Sequence, residues 1–94
     1  MSVRQREVAM TADMVHQRVR VMNALQLRRS ECVLEVGCGN GLLAREMAYE
    51  VGLEGRVTGA DIIDSMLTMA RGAHADRVNI EFMVDANYLG RRSG

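Results

Sequence analysis

A short apolar run, Cys32-Val33-Leu34-Glu35-Val36, is stopped at once by Gly37-Cys38-Gly39-Asn40-Gly41, and Leu42, Leu43, Met47, Ala48 and Val51 then recur at helical spacing. A run with so little polar alternation reads as a strand buried on both faces. The glycines allow a tight turn at positive φ, and Gly52 is placed to end the helix in a left-handed conformation. This order is restrictive, because a strand buried on both faces needs parallel neighbours and helical cover. The fold class it predicts is α/β.

The alternation of element types continues downstream. Arg56-Val57-Thr58-Gly59-Ala60-Asp61 reads as a second short strand, after which Asp64 or Ser65 can cap a helix with Met66, Met69, Ala70 and Ala73 on one stripe. Val78, Ile80, Phe82 and Val84 alternate with Asn79, Glu81 and Met83, a third strand with one wetter face or an edge position. Right-handed helical crossovers place these three strands in the order third, second, first, as half of a Rossmann-like doubly wound parallel sheet. Upstream, Val8, Ala12, Val15, Val19 and Met22 predict one amphipathic N-terminal helix from Glu7 to Leu27, packed on the domain in preference to a coiled-coil seam. The expected organisation is that helix over residues 1–29, a half-domain over 30–86 and an irregular tail over 87–94.

Composition excludes several classes. The chain of 94 residues has room for one domain, and 48% hydrophobic with 26% charged residues is globular and too interrupted by charge for a membrane span. Twelve Lys plus Arg are balanced by 12 Asp plus Glu, and Arg91 with Arg92 is too small a cluster for a nucleic-acid patch. Cys32 and Cys38 lie in one strand and its loop, where a mutual disulfide would break the strand, so reduced thiols and a cytoplasmic location are expected. His16 and His74 have no second ligand at metal spacing; they are expected to be solvated, with no metal site.

In open parallel sheets a ligand lies beyond the carboxyl ends of the strands, where Gly37, Asp61 and Asp85 fall. Bare backbone in the glycine loop can approach a ligand closely, and Asp61 is placed to accept hydrogen bonds from both hydroxyls of a ribose. The loop is G-x-G-x-G with Leu42 where a dinucleotide fingerprint has its third glycine, which argues mildly against NAD. Glu35, inside an apolar strand, is either satisfied by backbone amides of its own loop or contacts a ligand directly. Asp64 reads as a cap in preference to a ligand contact, and Cys38 has no base nearby in sequence that would make it a nucleophile.

At this point a family resemblance enters. Val33-Leu34-Glu35-Val36-Gly37-Cys38-Gly39-Asn40-Gly41 resembles motif I of the class I S-adenosylmethionine-dependent methyltransferases, and Val57 to Ile62 and Val84-Asp85-Ala86 resemble the next two motifs. Val57 to Asp61 followed by Met66 and Ala70-Arg71 is similar to the small-molecule branch that includes the ubiquinone and menaquinone methyltransferases. The resemblance implies S-adenosyl-L-methionine as cofactor and a small-molecule methyl acceptor as partner. It implies that Glu35 helps hold the loop and the methionine amino group, with Gly37 and Gly39 along the aminocarboxypropyl chain and Cys38 and Gly41 completing the motif. Asp61 would hold the ribose, Ile62 would lie against the adenine face, Asp85 would accept from the exocyclic amine, and the Ala86 amide would reach the ring edge.

The resemblance covers nearly all of Ser30 to Ala86, whereas members of that family continue with further strands on the other side of the first one. A truncated chain is therefore expected, holding a methyl donor without an acceptor half, and turnover by this polypeptide alone is doubtful. The alternative is a non-catalytic adenosyl-cofactor-binding or interaction fragment. Either way, the open edge of Cys32 to Val36 predicts association as a homodimer or with a complementing chain.

Overall fold

The computed structural model describes residues 5–9 and 17–84. They form four strands and three helices: β1 (Gln5–Ala9), α1 (Arg18–Leu25), β2 (Cys32–Val36), α2 (Leu42–Val51), β3 (Arg56–Asp61), α3 (Asp64–Ala73) and β4 (Ile80–Val84). All neighbouring strands pair in parallel, in the spatial order β1-β2-β3-β4. The three expected strands stand in the expected order, and β4 occupies an edge, which accounts for its alternation.

The N-terminal region departs from the expectation of one helix from Glu7 to Leu27. Glu7 and Val8 belong to a strand in register with β2, Val8 opposite Glu35 and Ala9 opposite Val36. Val8 is buried with Val33 and Val57, and burying a valine side chain contributes roughly 1.5–3 kcal/mol. Arg6 Nη1 reaches Glu31 at 3.4 Å, fastening β1 to the turn before β2. A five-residue strand whose ladder partner lies some way along the chain has no local signal to set against a helical spacing. The edge of β2 that the sequence leaves open is thus closed within the chain, which corrects the open edge on which the expected homodimer or complementing chain rested. The sheet has four strands, where about three were expected.

The helix that does form, α1, begins at Arg18 and turns a different face to the core. Val21, Met22 and Leu25 pack against the main cluster, while Val19, expected on the packed stripe, is exposed. Gln26 closes it in the left-handed region at φ 51°, and Arg18 meets Glu46 of α2 at 2.8 Å. Ala12, Val15 and His16 lie outside the described residues, as does the tail over 87–94.

Alternate residues of a strand point to opposite faces. One face, with Val33 and Val57, packs against Leu43, Met47 and Val51 of α2; Leu34, Val36 and Ala60 form a second cluster. Gly52 ends α2 at φ 74°, as expected for a glycine, but with ψ 179° it lies in an extended, glycine-only region and not the left-handed helical one. Asp64 does not cap α3. It is the first helical residue, behind an extended Ile63, and no side chain caps that end. The buried face of α3 is Leu67 and Ala70; Met69 and Ala73 face outward.

Candidate functional site

The loop after β2 is held by the end of β3. The amides of Gly37 and Cys38 both donate to the Ala60 carbonyl, at 2.8 and 3.1 Å, and the amide of Gly39 donates to Asp61 Oδ2 at 2.9 Å. The other Asp61 oxygen, Oδ1, accepts from the Ile63 amide at 3.0 Å. Asp61, 8% exposed, is thus the clasp joining two strand tips, and each carboxylate oxygen retains a second lone pair. Val84, the last residue of β4, pairs with Asp61 and brings a third strand end alongside. Asp85 and Ala86, expected at that end, lie outside the described residues.

Gly37, Gly39 and Gly41 all have positive φ, at 76°, 56° and 81°. Beyond this shared backbone requirement Gly39 and Gly41 differ. A Cβ on Gly39 would find only the Met66 methyl at 3.7 Å, an ordinary contact, so the space beside that glycine is open. A Cβ on Gly41 would meet Phe82 Cζ at 2.7 Å and His74 Cδ2 at 3.0 Å, so Gly41 is a packing glycine. It also starts α2, where the Asn40 side chain accepts from the Leu42 amide at 3.1 Å. Gly59 serves the same packing purpose on β3, where a Cβ would lie 2.8 Å from Phe82 Cδ1.

Glu35 is the electrostatic oddity of the site. It is 1% exposed, and its Oε1 has no hydrogen-bond partner among the described residues. The three loop amides that could have satisfied it are taken by Ala60 and Asp61. Burial, with a further contribution from the Asp61 charge, pushes its carboxyl up to about 8. Burial first, then the charges of Glu35 and Asp61, push the Cys38 thiol up to about 12, the opposite of what a nucleophile needs. Cys32 and Cys38 are both free thiols.

Ile62 and Ile63, both more than half exposed, follow Asp61 as an apolar pair between β3 and α3. An open cleft of about 570 Å³ lies elsewhere, lined by Arg29, Tyr49, Gly52, Arg77 and Asn79 and by none of the strand-tip residues. Among the described residues no three His, Cys, Asp or Glu side chains gather as a metal site, and no helix is long and apolar enough to cross a membrane.

His74 is not the solvated histidine the sequence suggests. It is 9% exposed, and its ring touches the glycine loop through Asn40. The signal for this was present, since His74 continues the stripe of Leu67 and Ala70 at spacings of three and four. The roles of Phe82 beneath two glycines and of the Ile63 amide on Asp61 had no such signal.

Residues 33–89 match the family model described as a methyltransferase domain. The demethylmenaquinone methyltransferase of Listeria monocytogenes is 35% identical over 68 residues, 70% of this chain and 29% of that protein. A probable cobalt-precorrin-6B C(15)-methyltransferase (decarboxylating) of Saccharolobus solfataricus is 31% identical over 68 residues, 72% of this chain and 33% of the relative. The chain thus spans about a third of the length of these curated relatives. Among solved structures, a protein-L-isoaspartate O-methyltransferase superposes with a TM-score of 0.69 at 24% identity, over 77% of this chain and 23% of that one. A SAM-dependent methyltransferase from Aquifex aeolicus gives 0.67 at 21% identity, over 82% and 43%. At those identities the structural likeness establishes the fold alone.

Proposed function

This chain belongs to the class I S-adenosylmethionine-dependent methyltransferases, its residues 33–89 matching their methyltransferase domain, and from that premise we propose that it is the portion that holds S-adenosylmethionine for methyl transfer to a small-molecule acceptor. The observation that carries the reading is the clasp between Gly39 and Asp61 beside the buried, unpartnered Oε1 of Glu35. An amino acid linked to a ribose fits those three groups by charge and by hydrogen-bonding capacity. Glu35 Oε1, lacking a partner, suits an ammonium group, and the open side of Gly39 suits close approach of a chain. The spare lone pairs of Asp61 suit ribose hydroxyls, and exposed Ile62 suits the face of an adenine. Gly37 and Cys38 serve through their backbone, already hydrogen-bonded to β3, and Gly41 by its packing. Asp85 and Ala86 are proposed at the adenine edge.

The cofactor supplies a methyl group on a sulfonium, a good leaving group that needs little acid or base help once donor and acceptor are in line. The protein's contribution is therefore positioning. Asp61 fixes the loop, β2 and β3 fix Asp61, and Glu35 is held where an ammonium neutralises it. Because the chain spans 29% and 33% of the two relatives, the acceptor pocket is proposed to be built by the length they carry beyond the match. Their names, both methyltransferases of small molecules, support that acceptor class. The same coverage favours the second reading, a fragment that binds the adenosyl cofactor without turning over. Free Cys32 and Cys38 support a reducing compartment, the cytoplasm.

Calorimetric titration with S-adenosylhomocysteine tests the proposal. Wild type should bind, and Asp61→Ala and Gly39→Val should each lose binding while remaining folded. Binding of NAD in its place, or no adenosyl binding by a folded sample, would overturn it.

A further inference from the structure

His74 joins the end of α3 to the glycine loop through groups that fix both its backbone and its ring. Its amide donates to the Ala70 carbonyl and its carbonyl accepts from the Arg77 amide, each at 3.0 Å. Its ring lies beside Phe82, with centroids 6.2 Å apart and planes inclined by 35°, and the pair fills the space that a side chain on Gly41 would need. Nε2 is 3.0 Å from the Asn40 carbonyl oxygen, and Nδ1 is 3.4 Å from Arg45 Nη1. Arg45 is oriented by Asp76, whose two carboxylate oxygens accept from its Nη1 and Nη2 at 2.8 and 2.7 Å.

Those contacts determine the tautomer. A guanidinium only donates, so Nδ1 must accept from Arg45, and the imidazole proton must sit on Nε2 and be donated to the Asn40 carbonyl. The effect on the loop follows from the planarity of the peptide bond. Asn40 C=O and Gly41 N–H belong to one rigid unit, in which the carbonyl is held by His74 and the N–H donates to the Cys38 carbonyl at 3.0 Å. A plane held at both ends cannot rotate. Asp61 clasps the first half of the loop, and His74 clasps the second.

We infer that His74, as the Nε2–H tautomer held by Arg45, is a positioning residue that locks the Asn40–Gly41 peptide and so presets the ligand loop. The inference rests on the reading that this loop holds an adenosyl ligand, but its structural half can be tested without one.

Imidazole nitrogen shifts in the ligand-free protein should show a protonated Nε2 and a bare Nδ1; a proton on Nδ1 would overturn the inference. His74→Phe keeps a ring on Phe82 and Gly41 but removes the donor, whereas His74→Gln carries an amide nitrogen the same number of bonds from Cβ. One hydrogen bond of ordinary strength corresponds to about threefold to tenfold in affinity. His74→Phe should therefore weaken S-adenosylhomocysteine binding by about that factor and speed amide hydrogen exchange at Gly41, and His74→Gln should restore most of both. Equal affinity and exchange in wild type and His74→Phe, or equal losses in the two variants, would count against a donor role. Should the phenylalanine variant fail to fold, the tautomer and the glutamine variant decide. If folded wild type binds no adenosyl ligand, the proposed function fails while tautomer and Gly41 exchange still judge His74.

Discussion

The Gly39 amide donates to the Asp61 carboxylate at 2.9 Å, across 22 positions of sequence, so the glycine turn after β2 and the tip of β3 form one unit. Removing the acceptor frees two amides together, because Ile63 uses the other oxygen. Asp61→Ala is expected to cost about 2–4 kcal/mol in stability, since each orphaned, partly buried amide loses a charge-assisted bond. Asp61→Asn should retain one of the two bonds and about half of that stability. Urea denaturation of the three proteins measures both.

Glu35 makes stability fall as pH rises. Its folded carboxyl lies at about 8 and its ordinary value is 4.5, so between these limits the folded state binds the extra proton. The stabilisation is complete below about 4.5 and is lost through about 8, with a slope of up to about 1.4 kcal/mol per pH unit. Glu35→Gln should flatten that slope in denaturation curves between pH 5 and 9, on the order of the range above. A wild-type slope already flat would refute the buried acid.

The same carboxyl bears on ligand binding. At neutral pH most Glu35 is protonated before an ammonium arrives, and the cation favours the ionised form, so binding should release close to one proton near pH 7. Titrations with S-adenosylhomocysteine in buffers of different ionisation enthalpy count that proton. Glu35→Gln should release none.

Two glycines should respond in opposite directions. Gly41→Ala places a Cβ 2.7 Å from Phe82 Cζ at a backbone φ of 81°, and is expected to cost about 2–3 kcal/mol. Gly72→Ala, inside α3 with nothing within 4 Å of the new Cβ, is expected to stabilise by about 0.5–1 kcal/mol. Thermal unfolding of the pair, compared with wild type, reads both signs.

Val8 tests the N-terminal strand. Val8→Ala removes two methyl groups from a core shared with Val33 and Val57 and should cost about 1–2 kcal/mol. Hydrogen exchange should quicken at those β2 amides that face β1. Were the residues around Val8 a surface helix, the substitution would cost almost nothing and β2 would be unaffected.

The central succession β2, α2, β3, α3, β4 was legible from residues alone, because each element carries its own hydrophobic period and the glycines of the loop and Gly52 punctuate them. The order of those strands followed from the handedness of helical crossovers, and Asp61 could be placed at the site because it ends the second strand, whose carboxyl end lies beside the glycine loop in an open parallel sheet. Only the tertiary structure decided that Gln5–Ala9 is a strand, that Asp61 is the clasp of the loop, that Glu35 Oε1 has no hydrogen-bond partner among the described residues, and that His74 sits under Asn40. Each of these depends on a group about 20 or more residues away, and local periodicity carries no record of which distant amide, carbonyl or strand edge comes within reach once the sheet has closed.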